Sequence, residues 1–66
     1  MVKLKVIALL KKEGKSKYWL YNQLEMNHYT NFNNLINNKT ISIKYEYIDK
    51  LCKIFNCEIQ DLFFKE

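Results

Sequence analysis

Sixty-six residues make room for one domain, residues 1–66, with a small core and modest stability. The composition is 48% hydrophobic and 15% aromatic, too apolar for a disordered chain. One glycine and no proline leave little for the many turns of an all-β sandwich or barrel, so short helices are expected. The formal charge of +4 is uneven: residues 1–44 carry eight lysines against Glu13 and Glu25, a net of +6, and residues 45–66 carry three lysines against five acids, a net of −2. A basic front and a mildly acidic back suit a protein with one side facing a polyanion, although many small soluble proteins have a similar charge. All eleven cations are lysine and none is arginine, which disfavours bidentate reading of guanine by arginine. No apolar run approaches the roughly 18 residues of a membrane span, and the N-terminus lacks a signal-peptide pattern. No membrane partner is expected, and a reducing cytoplasm is the expected setting.

In chain order, Val2, Leu4 and Val6 alternate with Lys3 and Lys5, while Val6, Leu9, Leu10 and Glu13 fall at i, i+3, i+4, i+7. The spacing predicts a helix from about residue 4 or 5 to 13, preceded by two or three extended residues. Gly14 stands where a left-handed C′ residue belongs. Ser16 is the expected cap of a second helix that ends near Gln23 to Glu25, with Leu20 and Leu24 facing the core. Met26 is expected to be buried in the turn, with Asn27 or His28 as the next cap. A third helix is expected over about 28–37, where Phe32, Leu35 and Ile36 form a narrow apolar stripe. Asn38 is a candidate for its left-handed stop. Residues 40–44 read as a loop anchored by Ile41 and Ile43. Ile48, Leu51, Cys52 and Phe55 predict a fourth helix from about Tyr45 to Phe55, ended by Asn56. Residues 58–63 read as a short fifth helix, with Ile59, Leu62 and Phe63 closing the core.

The stretch 16–39 is the most informative. Six of the twelve residues 27–38 are asparagine: Asn27, Asn31, Asn33, Asn34, Asn37 and Asn38. Asparagine is a mediocre helix former, so helix propensity does not account for the cluster. An AT-rich genome would enrich exposed positions in asparagine, but would not concentrate it here. The asparagine amide offers one donor and one acceptor, a match for the edge of adenine. The stretch is therefore expected to place a helix in a DNA groove.

Enzymatic chemistry is not expected. The chain has no glycine-rich phosphate loop, a single histidine and no nucleophile paired with a base, so no catalytic residues are assigned. Glu46 with Asp49, and Glu58 with Asp61, read as surface acids near helix starts. Cys52 and Cys57 form neither a CxxC motif nor a disulfide framework. With His28 remote in sequence, no metal site and no cofactor are expected.

Two motifs carry a family resemblance. Leu9, Leu10, Gly14, Ser16, Tyr18 and Leu20, followed by Met26, form the first. Residues 37–63, Asn-Asn-Lys-Thr through Asp-Leu-Phe, form the second and more specific one. Together they resemble a Cro/repressor-type (XRE-like) helix-turn-helix domain, of the compact bacterial and phage type, over about residues 4 to 64. The resemblance implies an all-α bundle of about five short helices, a lambda-repressor-like DNA-binding domain with its third helix in the major groove. By position it implies base reading by Tyr29, Thr30, Asn31, Asn33 and Asn34. It implies phosphate binding by Ser16, Lys17 and Tyr18 at the start of helix two, and by Asn38, Lys39, Thr40 and Tyr45 after helix three. Two residues depart from the family pattern: Tyr21 stands where alanine is common, and Glu25 where glycine is common. The turn also reads about one residue longer than usual.

The expected function is sequence-specific binding of double-stranded operator DNA by a transcriptional regulator, a repressor acting as a homodimer, with no small-molecule ligand. Its expected location is the cytoplasm of a bacterium, from a bacterial or phage gene, associated with the nucleoid through DNA. The rival is a protein-interaction module, an antirepressor or antitoxin-like adaptor that keeps the helix-turn-helix fold without DNA binding.

Overall fold

In the computed structural model, which describes residues 1–66, strand β1 (Val2–Leu4) leads directly into helix α1 (Val6–Glu13). Val6 and Leu10, four apart, are buried, and Lys11 and Lys12 complement the negative end of the helix dipole. Gly14 ends α1 at φ 67°, donating to the Lys11 carbonyl, while Lys15 N–H reaches the Leu10 carbonyl. This is the paired bonding of a Schellman stop.

Helix α2 (Lys17–Leu24) starts at Ser16, whose hydroxyl accepts from Trp19 N–H at 3.0 Å. Leu20 and Leu24 are fully buried. The helix stops at Glu25 with φ 56° and ψ 35°. An L-residue in this left-handed region costs about 1–2 kcal/mol, which explains the family's glycine here. Glu25→Gly removes that cost but enlarges the freedom of the unfolded chain, for an expected net gain of about 1 kcal/mol. A thermal melt followed by circular dichroism should rise by about 4–8 °C in a domain of this size. An unchanged or lower Tm would show that Glu25 is not strained.

Residues 25–28 form the turn, with Met26 half-buried against the core rather than fully buried. Helix α3 (Tyr29–Ile36) follows, with His28 as its geometric cap but without a side-chain bond. Phe32, Leu35 and Ile36 are buried as their spacing predicts. Asn38 adopts φ 60°. In the loop before the next helix Ile43 packs on the core, but Ile41 is 97% exposed and anchors nothing.

Helix α4 (Tyr45–Phe55) buries Leu51 and Phe55 and ends at Asn56, φ 50°. Lys50 Nζ, also on α4, donates to the Leu24 carbonyl at 3.4 Å, joining α4 to the end of α2.

The chain's end differs from the expected fifth helix. A single 3₁₀ turn (Ile59–Asp61) is closed by a reciprocal capping box in which Glu58 N–H donates to Asp61 Oδ2 at 3.1 Å. Strand β2 (Phe63–Lys65) follows. It pairs antiparallel with β1 in the register Val2↔Lys65, Lys3↔Phe64 and Leu4↔Phe63. The aromatic residues Phe63 and Phe64 suit a strand, and their pairing with β1 stops the helix from growing. Ile59 is exposed rather than in the core, whereas Leu62 is fully buried and Phe63 packs at the core's edge. The architecture is thus helical with a two-stranded ribbon added, around one core of eleven buried apolar residues.

Candidate nucleic-acid interface

The outward face of α3 is set by its buried one. Opposite Phe32, Leu35 and Ile36 stand Thr30, Asn33, Asn34 and Asn37, at i, i+3, i+4 and i+7. Tyr29, Thr30 and Asn31 are exposed, and Asn33 and Asn34 are half-buried. The asparagines are not equivalent. Asn37 Nδ2 donates to the Asn33 carbonyl at 2.8 Å and to Asn33 Oδ1 at 3.1 Å. Asn33 therefore has one lone pair of its side-chain oxygen taken and its orientation fixed, with its amide donors open. Asn34, Thr30 and Asn31 make no side-chain hydrogen bond within the chain, so Asn34 keeps both donor and acceptor for a ligand. The orienting role of Asn37 lay outside the expected readers, although the four-residue spacing from Asn33 is a signal for such a pair.

Tyr29 is tied back towards α2. Its ring meets Tyr21 edge-on at 5.0 Å and Phe32 at 5.5 Å, and Tyr21 also meets Phe32 at 5.4 Å and Tyr18 at 6.3 Å. Tyr21, where the family has alanine, thus fills the α2–α3 junction with an aromatic ring. It also links two expected site residues, Tyr18 and Tyr29, into one cluster.

Two helix starts offer open amides. At α2 the Ser16 side chain satisfies Trp19 N–H, and the Ser16 carbonyl takes Leu20 N–H, leaving the amides of Lys17 and Tyr18 unpaired. At α4 the Lys44 carbonyl accepts from Tyr47 and Ile48, leaving the amides of Tyr45 and Glu46 unpaired, and Tyr45 is 88% exposed. Unpaired amides at a helix start favour an anion. Lys39 and Thr40, just beyond α3, are exposed.

Asn38 is placed differently from the rest of the expected phosphate set. Its side-chain amide is occupied by β1, accepting from Leu4 N–H at 2.8 Å and donating to the Leu4 carbonyl at 3.2 Å. Its Oδ1 and one of its two amide N–H groups are thus engaged within the fold.

Only two of the eleven lysines have a carboxylate partner. Lys3 pairs with Glu66 at 2.8 Å and Lys53 with Asp49 at 3.4 Å. The other nine, Lys17, Lys39 and Lys44 among them, have none. Lys15 lies over the Trp19 ring at 5.1 Å from its centroid. Away from this surface, burial pushes the Cys57 thiol up from its usual range, helped by the adjacent Cys52 thiol and the Asp61 and Glu58 carboxylates. A thiol held protonated packs as a small apolar group and is a poor metal ligand. No three histidine, cysteine or acidic side chains converge as a metal site. No helix is long and apolar enough to cross a membrane.

A capped helix, a short turn and a second helix with a polar outward face form the geometry of a helix-turn-helix. The family model for Cro/C1-type helix-turn-helix DNA-binding domains matches residues 5–64. The chain belongs to this family. No curated protein and no solved structure matches it at a significant level. The Cro/C1-type match spans α1 through Phe64 in β2, and β1 lies just before it.

Proposed function

We propose that this Cro/C1-type domain is a sequence-specific regulator that lays α3 in the major groove of double-stranded DNA and acts as a repressor. The observation that carries the reading is the unengaged polar face of α3, with Thr30, Asn31 and Asn34 free of internal partners, together with three unpaired lysines at Lys17, Lys39 and Lys44. Lysines and open helix-start amides hold phosphates and fix register, and the amides of α3 read base edges. Tyr29 and Asn33 flank that face, with Asn33 offering its donor. Thr40 and the hydroxyls of Ser16, Tyr18 and Tyr45 complete the phosphate set. A single reading helix gives limited affinity, so a homodimer on a two-fold operator supplies the rest. A bound domain of this kind represses by covering DNA that polymerase needs. Such a regulator works in a bacterial cytoplasm on nucleoid or phage DNA.

Tyr21 and Glu25, the two departures from the family pattern, favour a second reading, a protein-interaction module without DNA binding. A salt titration with random-sequence duplexes separates the two. Three lysine–phosphate contacts per protomer should give a log–log slope of about −2.7 per protomer, from about −0.9 for each contact. Absence of duplex binding at low salt would leave the interaction module as the better reading. Selection of bound sites from the same pool then yields the operator and its symmetry.

A further inference from the structure

We infer that Asn38 is a positioning residue that locks the end of α3 to strand β1 and so sets Lys39 and Thr40 for the DNA backbone, an inference that rests on the DNA-binding reading. Asn38 does two separate jobs. Its backbone, at φ 60°, ends α3 in a Schellman stop, with Asn38 N–H on the Leu35 carbonyl at 3.2 Å and Lys39 N–H on the Asn34 carbonyl at 2.9 Å. Glycine would do this at least as well. Its side chain does what glycine cannot.

The ribbon's hydrogen-bond pattern explains the second job. Lys5 N–H donates to the Leu62 carbonyl at 2.7 Å, and Glu66 N–H to the Met1 carbonyl at 2.9 Å, so the pairs Lys5–Leu62 and Met1–Glu66 bond directly across the ribbon. In an antiparallel pair such positions alternate with ones whose N–H and C=O point away from the partner strand. Leu4, opposite Phe63, is one of the latter. Its two outward groups meet the Asn38 amide at 2.8 and 3.2 Å. One asparagine side chain thus stands in for a residue of a third strand. It seals the β1 edge at Leu4 and fastens that edge to the residue immediately before Lys39. Leu4 itself is buried beneath the contact. The groove-facing helix is therefore held at its far end by the ribbon as well as by its own core stripe.

The decisive variant is Asn38→Gly, which keeps the left-handed backbone and removes only the amide. At a temperature where circular dichroism shows both proteins folded, Asn38→Gly should bind the selected operator about tenfold more weakly. Its log–log salt slope should be shallower by about 0.9 for each phosphate it no longer holds. Reduced stability alone would leave the slope unchanged. Amide hydrogen exchange gives a second readout that needs no DNA. In the wild type the Leu4 amide should be as protected as that of Lys5, and in Asn38→Gly both Leu4 and Lys39 should exchange faster while the α4 amides do not. A folded variant with unchanged affinity, slope and Lys39 exchange would overturn the inference. So would an unprotected Leu4 amide in the wild type, a result available even if the variant fails to fold. If the wild type binds no duplex, the DNA reading falls, and the exchange of Lys39 still decides whether Asn38 holds it.

Discussion

Phe32→Ala should remove most of the stability of this domain. Phe32 is fully buried at the point where α3 meets α2, with its ring against Tyr21 and Tyr29. Truncating a buried phenylalanine to alanine costs about 3–5 kcal/mol in transfer energy and residual cavity. The two aromatic neighbours push towards the upper part of that range. A chain of this length has only about 3–10 kcal/mol of stability in total, at roughly 0.05–0.15 kcal/mol per residue. A thermal melt should therefore show either no cooperative transition or a Tm about 20 °C lower. Ile41→Ala, at a side chain 97% exposed, should change stability by no more than about 0.5 kcal/mol. If the Phe32 variant melts within a few degrees of wild type, α3 is not seated on Phe32, and the outward face assigned to it is wrong.

What could be read from the sequence was mostly local. The stripe Ile48, Leu51, Cys52 and Phe55 states α4 almost to the residue, because helical packing repeats every three or four positions. Ser16, Gly14 and Asn56 mark helix ends through bonds that close within a few residues. The ribbon was only half legible. Alternation at Val2, Leu4 and Val6 hinted at extension, but nothing near β1 reveals that its partner is Phe63–Lys65 at the other end of the chain. The same distant pairing turned an expected fifth helix into one 3₁₀ turn. Ile41 and Ile59 show the limit of counting apolar residues, since hydrophobicity does not say whether the fold offers a neighbour.

The candidate interface divides along the same line. The amide face of α3 follows from periodicity, and the open amides at α2 follow from the Ser16 cap. Tyr21 marked a departure from the family pattern, but its accommodation in an aromatic cluster depends on how α2 and α3 cross. The role of Asn38 depends on a strand thirty-four positions away in the chain. Sequence position put it beside Lys39 among phosphate ligands, and nothing local to it foretells that its amide bonds both backbone groups of Leu4.

The α3 face can be tested by comparing its asparagines one at a time. Asn34→Ala should weaken operator binding by about 1–3 kcal/mol, the worth of one bidentate pairing with a base, with little change in Tm. Asn34 is half-buried and makes no side-chain bond within the chain, so truncation leaves no orphaned partner behind. Asn33→Ala should behave differently. Its Oδ1 already accepts from Asn37 at 3.1 Å, which competes with bidentate pairing to a base, and operator affinity should fall by less. Truncation also leaves Asn37 with only the Asn33 carbonyl, so the Asn33 variant alone should lose some stability. Binding isotherms on the selected operator and on a scrambled duplex distinguish a reader from a general contact. The Asn34 variant should lose affinity for the operator and keep it for the scrambled duplex, because phosphate binding through Lys17, Lys39 and Lys44 is untouched. Equal weakening on both duplexes would make Asn34 a backbone contact. Wild-type affinity in both variants would take base reading away from Asn33 and Asn34 and leave Tyr29, Thr30 and Asn31, at the start of α3, as the remaining candidates.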